Sequence, residues 1–158
     1  MIGNDVIDLS LTAAENNWRR SGYLQKIFTP REQDFIKNSE NPDLTVWKLW
    51  SRKESAYKIF NRITGIRAYN PIRFECLDDL DLGIVCFENT LYWTQTELTE
   101  NYIHTIATSE INDLVKVVYL ENRLQIYKKN DIPYLNLHPV SISNHGRFEK
   151  IITLQTES

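Results

Sequence analysis

Trp47-Lys48-Leu49-Trp50-Ser51-Arg52-Lys53-Glu54-Ser55-Ala56-Tyr57-Lys58 is the stretch on which the architecture turns. Trp47, Trp50, Glu54 and Lys58 recur at helical spacing, so one stripe of a helix carries two indoles, a carboxylate and an ammonium. Glu54 and Lys58 are four apart and share a face. Indole walls beside a charged pair suggest a partly dry site. A solvated ion pair beside core aromatics gives the same pattern, and such pairs contribute little to stability. Asn41-Pro42 starts this helix, the longest in the chain, which should run to about Ile63 with Gly65 just past its end.

Two shorter helices should precede it. Thr12-Ala13-Ala14-Glu15 has the form of a capping box, which places a helix from there towards Arg20. Ser21-Gly22 interrupts it, and a helical turn continues to Phe28. Thr29-Pro30-Arg31-Glu32 is a second capping box with Pro at the first helical position, and its helix should end near Asn38. After Gly65 the periodicity changes to that of strands, at 72–76, 83–87, 91–96 and 102–107, with Glu88-Asn89-Thr90 turning a hairpin. The segments 115–120 and 124–127 have the pattern of another hairpin. Thr156 to Ser158 should fray. The expectation is an α+β fold: three N-terminal helices, one of them long and central, packed on a mainly antiparallel sheet.

Composition narrows the function. The 158 residues are 42% hydrophobic and 25% charged, which suits one globular domain spanning residues 1–158. A net charge of −3 implies no general nucleic-acid surface. No apolar run is long enough to span a bilayer, and the N-terminus lacks a basic start and an apolar stretch. A cytoplasmic location follows as an expectation. Cys76 and Cys86 have no metal-ligand spacing and read as reduced, small apolar side chains.

The N-terminal Met1-Ile2-Gly3-Asn4-Asp5-Val6-Ile7-Asp8-Leu9 reads as a strand carrying an acid within an apolar run. A carboxylate from that strand and one from the helix would suit Mg²⁺, which is usually held by one or two carboxylates together with phosphate oxygens and water. Lysines beside such a metal would neutralise a pyrophosphate.

Gly3-Asn4-Asp5-Val6, followed by Trp50-Ser51-Arg52-Lys53-Glu54-Ser55-Ala56-Tyr57-Lys58, resembles the paired signature of the 4′-phosphopantetheinyl transferase superfamily. Phe28-Thr29-Pro30-Arg31-Glu32 resembles the segment between the two motifs. Pro133-Tyr134 and Ser141-Ile142-Ser143-Asn144-His145 resemble the family's last segments. The motif order is that of the short holo-acyl-carrier-protein-synthase-like branch. The resemblance implies Mg²⁺-dependent transfer of the phosphopantetheine arm of coenzyme A to a serine of an acyl or peptidyl carrier protein, as in fatty acid biosynthesis. The other product would be 3′,5′-ADP. Asp5 and Glu54 would be metal ligands and catalytic, with Glu54 helping to deprotonate the serine. Lys58 would bind a phosphate oxygen and stabilise charge on the leaving side. Lys53, Ser143, Asn144, His145 and Arg147 would contact coenzyme A. Lys53, one residue from Glu54, points about 100° away from it on a helix.

The pattern departs from the family at two positions. Ile7 stands where many members have a third acid, which leaves two protein ligands. Asn144 stands at the expected His, with His145 next to it. Short-branch members tend to form trimers with sites between subunits. The Asp5 and Glu54 of one subunit would then face the Ser143–Arg147 loop of another. Arg19, Arg20, Lys26 and Arg31, with Trp18 and Tyr23, are candidates for docking an acidic carrier protein. His104 reads as a satisfied core or edge histidine. Two other readings stand beside transfer: a non-catalytic relative that binds coenzyme A or a carrier protein, and an unrelated interaction domain.

Overall fold

The computed structural model describes residues 1–15 and 17–155. The elements run β1 (Ile2–Asp8), α1 (Leu9–Glu15), α2 (Tyr23–Ile27), α3 (Pro30–Lys37), α4 (Pro42–Thr64), β2 (Glu75–Cys76), β3 (Leu82–Phe87), β4 (Thr90–Leu98), β5 (Tyr102–Thr108), β6 (Val117–Leu120), β7 (Tyr127–Lys129), β8 (Ile132–Leu135), β9 (His138–His145) and β10 (Phe148–Leu154). Short 3₁₀ turns precede β2 and β6. The α+β class expected from the sequence is the one found. The strands form two antiparallel five-stranded sheets, ordered β1-β5-β4-β3-β2 and β6-β10-β9-β8-β7.

α4 lies across the first sheet. Asn41 accepts from the Leu44 N–H and Gly65 closes the other end at φ 72°, a left-handed conformation that glycine adopts without a Cβ clash. The apolar core between helix and sheet gathers Phe28, Val46, Leu49, Ile59, Phe74, Val85 and Ile103. A second, smaller core of Ile2, Ile106, Leu114 and Ile152 glues the two sheets together on the other side of β1 and β5. β1 is therefore the seam of the molecule, with α4 on one face and β9 and β10 on the other. α3 carries its capping box as expected, with Thr29 and Glu32 bonding reciprocally.

Three local expectations are corrected. Thr12 does not cap a helix. It lies inside α1, and its hydroxyl donates back to the carbonyl of Leu9 at 3.0 Å. The cap is Asp8, the last residue of β1, which accepts from the Ser10 N–H at 3.1 Å. α1 thus starts three residues earlier than read and is described to Glu15; Asn16 and the fraying expected at 156–158 lie outside the described residues. The segment 115–120 does not pair with 124–127; β6 pairs with β10 and β7 with β8. Trp18 is not an exposed anchor but is 7% exposed, its indole donating to Asp43 at 2.6 Å. Both cysteines are free thiols. Among the described residues no helix is long and apolar enough to cross a membrane.

Candidate active site

Alternation along β1 sends its side chains to two different neighbours. Gly3 turns towards α4, and a Cβ there would lie 2.3 Å from the Ser55 carbonyl oxygen. Only a residue without a side chain lets strand and helix approach this closely. Asp5 follows on the same face and comes under Glu54 and Lys58 of α4. Asn4 and Asp8 face the second sheet instead. Asn4 accepts from Ser141 and meets His104 Nε2 at 3.0 Å.

The outer edge of β1 is closed by side chains rather than by another strand. Lys58 donates to the Asn4 carbonyl, and Arg62 to the Ile2 carbonyl at 3.0 Å. The Val6 N–H donates to Ser143 Oγ at 3.0 Å and the Asp8 N–H to His145 Nδ1 at 2.8 Å. These four bonds occupy part of the row of backbone groups that an edge strand presents. The Ser143–Arg147 segment, expected to reach Asp5 from another subunit, reaches it within the chain.

The electrostatics single out one cluster. Burial pushes the Asp5 carboxyl up to about 6 against the opposing charge of Lys58. Burial, and then the charge of Asp5, push Glu54 up to about 7. Burial draws Lys58 downward, opposed by the same two carboxylates. Ser143 Oγ donates to Asp5 Oδ1 over 3.5 Å, while Asp5 Oδ2 is buried with no hydrogen-bond partner. A cavity of about 280 Å³ opens on Asp5 and is lined by Trp47, Trp50, Tyr23, Asn144 and His145. The indoles on the stripe thus wall the acid.

Two of the coenzyme-contacting residues expected from the sequence lie elsewhere. Lys53 is fully buried, its ammonium 2.6 Å from Glu32 and 3.0 Å from the carbonyls of Ile27 and Pro71. The rotation from one helical position to the next turns it into the core, away from Glu54. Arg147 forks onto Asp8, with Nε at 3.0 Å and Nη2 at 3.1 Å, and its backbone N–H adds a third bond at 2.9 Å. These bonds hold the Asp8 carboxyl well below the usual range. Of the basic residues expected to dock a partner, Arg19 pairs with Asp43 at 2.8 Å and Arg31 with Glu75 at 3.8 Å.

A groove that the sequence reading missed leads away from Lys58. Cavities of about 330 and 780 Å³ share Asn61, Arg62, Lys128, Asp131 and Ile132 as walls. The smaller also touches Lys58, Arg123 and Asn144. Arg62 was legible in principle, since 54, 58 and 62 continue one stripe. Arg123, in the turn after β6, and Lys128, on β7, come from a distant part of the chain that no local pattern connects to α4.

Residues 1–107 match the family model described as the 4′-phosphopantetheinyl transferase superfamily. The chain belongs to that superfamily. Its matched part contains Asp5, Glu54 and Lys58, while β9 lies beyond the match. No curated protein sequence matches the chain. Membership gives phosphopantetheinyl transfer as the general chemistry.

Proposed function

We propose that the chain transfers the 4′-phosphopantetheine arm of coenzyme A to a serine of an acyl or peptidyl carrier protein, with Mg²⁺ as cofactor and 3′,5′-ADP as the other product. The observation that carries this reading is the convergence of Asp5 and Glu54 across the β1–α4 crossing, beside Lys58. Among the described residues no group of three or more His, Cys, Asp or Glu side chains is placed to hold a metal. Two carboxylates can still hold Mg²⁺, which takes hard oxygen donors and commonly completes its shell with water and substrate phosphate. The unpartnered, buried Asp5 Oδ2 is such a donor. Held by Asp5 and Glu54, Mg²⁺ would offset the carboxylate charge and polarise the diphosphate.

The serine oxygen attacks the phosphorus on the pantetheine side of the coenzyme A diphosphate. The bond to the bridging oxygen breaks, and the electron pair leaves with 3′,5′-ADP. Glu54 would accept the serine proton directly or through water. Lys58, beside the two carboxylates, would stabilise the charge that the leaving oxygen gains. The basic groove beyond Lys58, with Arg62 and Lys128 on its walls, suits the phosphoadenosine half. Ser143 serves Asp5 within the chain, which supports a site built in one protomer. His145 in the Asp5 cavity supports an active enzyme despite Asn144.

Intact-mass measurement of an apo carrier protein tests this reading. Incubation with the chain, coenzyme A and Mg²⁺ should add one phosphopantetheine arm. EDTA and Glu54→Gln should each abolish the gain, while the variant stays folded. Coenzyme A binding with no gain on fatty-acid, polyketide or peptide carriers would instead establish a non-catalytic relative.

A further inference from the structure

Three buried side-chain polar atoms among the described residues lack a hydrogen-bond partner: Asp5 Oδ2, the Tyr69 hydroxyl and Ser109 Oγ. Such groups destabilise a fold and are few in native proteins, so each calls for a reason. Asp5 has one in the site just described. Tyr69 stands at the same site. It lies in the loop after α4, with its ring 6.1 Å from that of Trp50 and 4.4 Å from that of Tyr57. Residues 50, 54 and 57 of α4 share a face, so a ring that touches both Trp50 and Tyr57 spans the turn carrying Glu54. Phe74 completes the aromatic cluster, its ring 5.9 Å from that of Tyr69. The Tyr57 hydroxyl bonds the Arg67 carbonyl at 2.7 Å and pins the loop that delivers Tyr69. The phenol is thus packed on the turn that carries Glu54, with its hydroxyl buried and unpaired.

We propose that the Tyr69 hydroxyl is a ligand-binding group, donating a hydrogen bond to a phosphoryl oxygen on the pantetheine side of the coenzyme A diphosphate. The assignment rests on the transfer reaction proposed above. Glu54 faces the incoming serine and therefore the phosphorus under attack, and Tyr69 borders Glu54. A neutral donor there supports an anionic oxygen without adding charge to a site already holding two carboxylates and a lysine. A donor held in place by its packed ring needs little rearrangement as charge shifts in the reaction.

Tyr69→Phe removes the hydroxyl and keeps the ring. Calorimetric titration with Mg²⁺ present should show coenzyme A binding about 10-fold more weakly to the variant. Binding of 3′,5′-ADP, which lacks the transferred phosphoryl, should be unchanged. The melting temperature of the ligand-free variant should be equal or higher, because an unpaired buried hydroxyl has gone. Equal coenzyme A affinity in both proteins would overturn the proposal, and so would equal weakening of both ligands. A lower ligand-free melting temperature with unchanged affinity would show the hydroxyl serving the fold alone. If the unaltered protein binds neither ligand with Mg²⁺, the transfer reading itself falls, and this assignment with it.

Discussion

His104 shows how one buried side chain ties stability to acidity. Burial first, and then the nearby charges of Lys150 and Lys58, draw its imidazole down to about 3 from an ordinary 6.5. Nε2 meets the Asn4 amide at 3.0 Å, and Nδ1 meets the Tyr119 hydroxyl at 3.3 Å. Between pH 6.5 and 3 the unfolded chain binds this proton and the folded chain does not. Its contribution is therefore complete above pH 6.5 and declines by about 1.4 kcal/mol per pH unit as the pH falls. Asp5 and Glu54 act in the opposite sense. Their raised carboxyls stabilise the fold most at low pH and lose that contribution as pH climbs through about 6 and 7. Urea unfolding of His104→Gln, compared with the unaltered chain, cancels those two groups. The loss of stability from pH 7 to pH 4.5 should be smaller in the variant by about 2–3 kcal/mol. Equal losses would show that the imidazole takes up its proton without cost. The sequence identified His104 as a satisfied histidine, but not its partners, which come from β1 and β6.

At the scale of elements, α3 and α4 are joined by an ion pair with no access to water: both the Lys53 and Glu32 side chains are 0% exposed. Glu32 does three jobs at once, accepting from Lys53 and the Thr29 N–H through Oε1 and from the Cys76 N–H through Oε2. Breaking one half strands the other as an uncompensated buried charge. Lys53→Met should lower unfolding free energy by about 3–5 kcal/mol in urea titration. Adding Glu32→Gln should recover part of it, because the amide oxygen still accepts but carries no charge. If Lys53→Met is instead harmless to stability, the pair is not closed to water. The helices whose signals lie within a few residues were legible: the Thr29 box, Pro30, Asn41-Pro42 and Gly65 all mark real ends. Thr12-x-x-Glu15 misled because the same pattern arises inside a helix already capped by a strand residue. Lys53 and Glu54 are neighbours in one motif, yet one enters the core and the other the site. The partner of Lys53, Glu32, was read as part of a capping box and of the segment between the two motifs, not as its partner.

At the scale of the molecule, the second sheet covers the face of β1 and β5 that α4 leaves bare. Ile2, Asn4, His104 and Ile106 are all at most 7% exposed, in large part because β9 and β10 lie against them. A chain ending at residue 107 would present that face to water, including a polar network with half its partners gone. It should lack near-UV circular dichroism and a cooperative melt, and a sharp melt from that chain would refute the dependence. None of this docking was legible, since periodicity gives which face of a strand is apolar but not which distant strand will cover it.

The seam has a consequence for inheritance. Ser143 and His145 hold the backbone of Val6 and Asp8, and Ser141 holds Asn4, so the strand that carries Asp5 is shaped by residues more than a hundred positions away. Changes on the two sides are not independent alleles. A substitution at 141, 143 or 145 would shift the background against which every substitution in β1 is judged. Recombination between relatives anywhere from β2 to β8 would separate partners that have to travel together.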